Sequence, residues 1–135
     1  MNDVHLAKVA SIQRSVARAR QEFAAAGDGF PEDVTRQDAA VLNVLRACET
    51  AIDLANALVR EQRLGVPQSN RDSFRLLSEA DVINADMATR MQRMVGFRNI
   101  AVHRYRDLDV AVLASVIRTD LGDLLQFAEV IARRK

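Results

Sequence analysis

A chain of 135 residues and 15.0 kDa has the length of one domain, residues 1–135, with a modest core. It is 49% hydrophobic and 27% charged, ordinary for a globular chain and against a disordered one, and its formal net charge of +1 says nothing by itself about partners. A single cysteine, Cys48, excludes an intrachain disulfide framework and is expected as a buried core thiol. No stretch resembles a signal peptide or a membrane span, so the expected compartment is the cytoplasm.

Strand formers are sparse while Ala, Leu, Arg, Glu and Gln abound, which favours an all-α domain. The first helix is expected from about Asn2 to Ala26, because Val9, Ile12, Val16, Ala19 and Phe23 repeat at three- and four-residue steps. Gly27-Asp28-Gly29-Phe30-Pro31 ends it. The second runs from about Thr35 to Leu64, with Val41, Leu45, Cys48, Ile52, Ala55 and Val59 as its core face. Asn43, Arg46, Glu49, Asp53, Asn56 and Arg60 form a polar stripe on another side. After Gly65-Val66-Pro67, a short helix from Asn70 to Ala80 anchors through Phe74, Leu76 and Leu77. Asn84 is an N-cap for the next helix, which carries Met87, Met91 and Met94. Asp107 or Asp109 caps the final helix, which runs to about Arg133. Its apolar face, Val110, Leu113, Ile117, Leu121, Leu124, Ala128 and Ile131, is widened by Val112, Val116, Phe127 and Val130. Such a face packs on two sides or serves a dimer. His5 and Arg133-Arg134-Lys135 read as solvated ends. The architecture is a four- to five-helix, mostly up-and-down bundle.

Charge is distributed unevenly. From Arg90 to Arg106 there are five arginines, one histidine and no acid. Arginine outnumbers lysine by 17 to 2; its planar fork suits phosphate, although codon usage alone produces the same bias. Within this segment the methionine stripe continues onto Arg98 and, seven residues later, Tyr105. A guanidinium on an apolar stripe requires an acid, a cleft or a ligand, because desolvating it alone costs several kcal/mol. Glu49 and Asp53 are the expected internal partners. His103 lies five residues beyond Arg98, about 140° around a continuous helix. The two converge only if the helix bends or ends nearby, for which Gly96 and the approach to Tyr105 are candidates, or if two chains pair about a two-fold axis.

The string Gly96-Phe97-Arg98-Asn99-Ile100-Ala101-Val102-His103-Arg104-Tyr105, together with Asn43 to Ala55 and Leu64 to Ser69, resembles the HEPN superfamily, specifically its HepT-type toxins. The resemblance implies a HEPN-like α-helical homodimer with Arg98 and His103 catalytic in a cleft between protomers. It implies metal-independent RNA cleavage without a cofactor. It also implies a cognate minimal nucleotidyltransferase antitoxin that silences the toxin by adding AMP to Tyr105. Asn99, Arg46, Glu49 and Asp53 are expected to support Arg98, and Arg93, Arg104 and Arg106 to bind RNA.

These side chains suit the chemistry. Cleavage by the RNA's own 2′-hydroxyl needs a base, stabilisation of a crowded phosphorane, and an acid for the 5′-oxygen. An imidazole titrates at about pH 6.5 and can exchange protons at neutrality. An arginine can fork onto phosphoryl oxygens as their charge grows. Two histidines far apart in sequence give no metal-ligand spacing, and no Gly-rich phosphate loop is present. The competing readings are a non-catalytic helical dimer that docks a nucleotidyltransferase, and a subunit that binds RNA without cutting it.

Overall fold

The computed structural model describes residues 3–134; Asn2 and Lys135, at the expected ends of the chain's helices, lie outside the described residues. Six α-helices and no strand occur among the described residues: α1 (Asp3–Ala26), α2 (Val34–Glu61), α3 (Asn70–Glu79), α4 (Ala85–His103), α5 (Val110–Ser115) and α6 (Leu121–Ala132). The expected bundle is therefore present, with its last helix built in two pieces. A π-helical turn, Val116–Asp120, joins α5 to α6 without breaking the run.

Local chemistry sets most boundaries. Asp33, Ser69, Asn84 and Asp109 cap α2 to α5 in turn: each side chain accepts a backbone N–H of the first helical turn, at 3.0, 3.2, 2.7 and 2.8 Å. Asp109 rather than Asp107 caps the final helix. The breaker after α1 is not a loop but a 3₁₀ segment, Gly27–Glu32, entered through a left-handed Gly27 (φ 55°).

Helix α2 is the spine. At 28 residues it spans about 42 Å, packs along α1 and touches α3, α4 and α6. Every expected core-face position of α2 is buried except Leu45, which is partly covered. The centre is filled by Ile12, Leu54, Phe74, Leu77, Met91, Leu124 and Phe127. Phe74 and Phe127 meet edge to face at 5.4 Å between centroids, tying α3 to α6.

Two expectations need correction. His5 is not a solvated end: it is buried and its Nε2 lies 3.0 Å from the Glu61 carboxylate, at the far end of α2. Antiparallel packing of α1 on α2 brings the two ends together. Asn43 does not belong to a solvated stripe. It is buried, its amide nitrogen donates to the Ala39 carbonyl at 2.9 Å, and its Oδ1 has no hydrogen-bond partner among the described residues. The width of the final helix is used half inside the chain and half on its surface. Val116 and Phe127 join the core, and only Val112 and Val130 of the widening set remain exposed.

Candidate active site

Arg98 sits one turn before the end of α4, on the face that α4 turns toward α2. Its Nε donates to Glu49 Oε1 at 2.6 Å, and its Nη1 donates to Asn99 Oδ1 at 3.0 Å. The guanidinium side chain is only 20% exposed, so the cation off-pattern on the methionine stripe has the acid it required. Glu49 and Asn99 occupy two of its five N–H donors and leave three for a ligand. Arg46 and Asp53 are exposed and neither bonds to Arg98, so of the expected support only Glu49 and Asn99 are in place.

Helix α4 is unbroken from Ala85 to His103, passing through Gly96. Gly96 therefore does not break it, and within one chain Arg98 and His103 keep the angular separation of a continuous helix. The helix ends on His103 itself. Arg104 leaves helical geometry (φ −138°, ψ 43°), and Tyr105–Asp107 form a 3₁₀ turn. His103 is thus exposed on the last residue of a helix, flanked by exposed Ile100 and Val102.

The same break removes Tyr105 from the methionine stripe. Continuing the helical phase past His103 placed it there; the turn instead sends the ring toward the start of α2, where its hydroxyl donates to Asp38 Oδ1. That bond, with Asp38's negative charge and partial burial, pushes the phenol up to about 12. The ring edges a small cleft of about 150 Å³ walled by Val34, Val41, Leu108 and Leu113. Asp38 was not a candidate from sequence; an acid in the second turn of a helix, 67 residues from its partner, leaves no local signal. A larger cavity of about 690 Å³, between Phe23, Phe30, Pro31 and Arg118, holds none of the motif residues.

The basic segment is less bare than its sequence. Arg90 pairs with Asp86 at 3.0 Å and Asp123 at 2.8 Å, Arg98 with Glu49, and Arg104 with Asp107 at 3.2 Å. The Arg104 pair is exposed on both sides and worth little, so a phosphate can replace the carboxylate. Arg93 and Arg106 are exposed with no ion pair among the described residues. Among the described residues no three His, Cys, Asp or Glu side chains cluster as metal ligands, and no helix is long and apolar enough to cross a membrane. Cys48 is buried, and burial pushes its thiol up to about 12.

The helical bundle, whose fourth helix closes on Arg98 and His103 with Tyr105 in the turn beyond, has HEPN toxins as its structural neighbours. The solved structure of a tri-AMPylated Shewanella oneidensis HEPN toxin in complex with MNT antitoxin matches it at a TM-score of 0.93, with 41% identity over 99% of this chain and 100% of that one. A toxin–antitoxin structure with AMP-PNP matches at 0.90, with 41% identity over 97% of this chain and 99% of that one. The mRNA nuclease HepT of Shewanella oneidensis is 44% identical over 133 residues, which is 97% of this chain and 98% of that protein. The family model "Ribonuclease HepT-like" matches residues 12–131, and the chain belongs to that family.

Proposed function

We propose that this chain is the toxin of a toxin–antitoxin pair: a cytoplasmic, metal-independent endoribonuclease that acts as a homodimer and is silenced by AMP addition to Tyr105. The observation that carries the reading is 44% identity to the mRNA nuclease HepT across 97% of the chain. The partner, a cognate nucleotidyltransferase antitoxin, is supported by the HEPN toxin solved with its MNT antitoxin.

In this reading Arg98 and His103 are the catalytic pair. Glu49 and Asn99 fix the plane of the Arg98 guanidinium, and its remaining donors face the phosphoryl oxygens. His103, free of the helix beyond it, takes the 2′-hydroxyl proton. One chain holds these two groups on different sides of α4, so the site needs a second chain. A two-fold pairing through the end of α4 places two Arg98/His103 sets in one cleft. The second imidazole then protonates the 5′-oxygen, and the product carries a 2′,3′-cyclic phosphate. Exposed Ile100 and Val102 beside His103 suit such a contact better than the last helix does. Arg93, Arg104 and Arg106 supply the surrounding positive field for the RNA backbone.

The test is RNA cleavage by AMP-free protein in EDTA. The parent cleaves, while Arg98→Ala and His103→Ala lose about 10²-fold or more. An Ala variant at position 103 that cuts as fast as the parent removes His103 from the site. A parent that binds RNA or the transferase tightly but leaves RNA intact favours the non-catalytic reading instead.

A further inference from the structure

The bond between Tyr105 and Asp38 has no part in RNA cleavage as proposed, yet it sits on the one oxygen that a nucleotidyl group would join. The turn that carries the ring is fixed from both sides: Asp107 N–H donates to the Arg104 carbonyl at 2.8 Å and Leu108 N–H to the Tyr105 carbonyl at 3.1 Å. The ring therefore offers its hydroxyl from a set position. Asp38 and Tyr105 are both exposed, so an enzyme bringing a nucleotide can reach them. No cation is paired with Asp38 among the described residues. Gln37, the other polar side chain lining the cleft, donates its amide N–H to the Phe30 carbonyl at 2.7 Å. The carboxylate is left facing the phenol alone, without a competing partner.

Resting on the reading of Tyr105 as the modified residue, we propose that Asp38 is the proton acceptor for nucleotidyl transfer to Tyr105. Tyr105 Oη attacks the α-phosphorus of the ATP presented by the transferase. The new P–O bond forms as the bond to pyrophosphate breaks, pyrophosphate leaves, and the phenolic proton passes to Asp38 Oδ1. A phenol raised to about 12 is fully protonated at neutral pH, so its proton must leave during transfer and not before it. A carboxylate already holding that hydrogen is placed for the task. The toxin thereby contributes a reacting group to its own silencing.

The experiment is AMP incorporation into the full-length chain by the cognate nucleotidyltransferase with MgATP, followed by intact mass from neutral pH to the phenol range of about 10. Asp38→Asn keeps a carbonyl that accepts the phenol hydrogen but is no base. It is expected to slow incorporation by about 10²-fold or more at neutral pH, with the deficit shrinking as pH approaches the phenol range, and with the parent's thermal unfolding temperature. Asp38→Glu restores much of the rate. An Asn variant that incorporates AMP at the parent's rate and pH profile overturns the role of Asp38 and leaves the Tyr105 reading standing. So does a deficit that stays constant across pH, which marks a positioning contact only. Incorporation that survives Tyr105→Phe in an otherwise unchanged chain overturns the reading of Tyr105 and the Asp38 role together.

Discussion

Tyr105 is the chain's only tyrosine and there is no tryptophan, so its ionisation can be followed alone by near-ultraviolet difference absorbance. The midpoint is expected near 12, well above the usual phenol value of about 10, because Asp38 accepts the phenolic hydrogen and repels the phenolate. Asp38→Asn brings it back toward the usual value; a parent that titrates there already shows that the Asp38 contact is not held in solution. The sign of the linked stability follows. A folded value raised above the unfolded one favours the fold while the phenol is protonated. The contribution is complete below about pH 10 and is lost as pH rises through about 12. It is small, because the ring is 45% exposed and water screens the contact. Arg98 is the contrasting case. Its off-pattern place on an apolar stripe declared in the sequence that it had a partner, and Glu49 is that partner. No comparable irregularity marks Asp38.

Helix α4 shows what periodicity reveals and where it stops. Met87, Met91, Met94 and Arg98 were in phase because all four lie on one unbroken helix. Tyr105 was out of reach of the same rule because the helix ends two residues earlier, and no Gly or Pro announces that end. The π turn at Val116–Asp120 is hidden for a similar reason: one widened turn keeps the apolar face turned inward, so the pattern reads as a plain helix. Gly96 is the opposite error, a residue read as a weak point that the structure keeps helical. A Cβ there meets only the tip of Arg71, with Nη2 at 2.7 Å, and an exposed flexible side chain can move aside. Gly96→Ala is therefore expected to stabilise the protein by about 0.5–1 kcal/mol, the helical penalty of glycine, read from the urea midpoint at an unchanged slope. A loss of stability shows instead that Arg71 is held in place or that α4 must flex at this position.

At the scale of the whole molecule, the decisive feature is a geometric shortfall. A single chain builds a well-supported Arg98 and an exposed His103 but sets them about 140° apart on one helix. If the site is a cleft between two chains, each cleft residue exists in two copies, and the copies need not come from one chain. Chains carrying Arg98→Ala and chains carrying His103→Ala are each expected to be inactive as pure dimers. Mixed by co-expression and isolated through two different affinity tags, they form a dimer with one intact Arg98 and one intact His103 on opposite subunits. That dimer is expected to regain RNA cleavage that neither parent shows, below the rate of the unaltered dimer because its second imidazole is missing. Rescue of this kind requires groups from two chains to act on one phosphate. If the isolated mixed dimer is as inactive as its parents, one Arg98 and one His103 on opposite subunits do not suffice for cleavage, and the expected complementation fails.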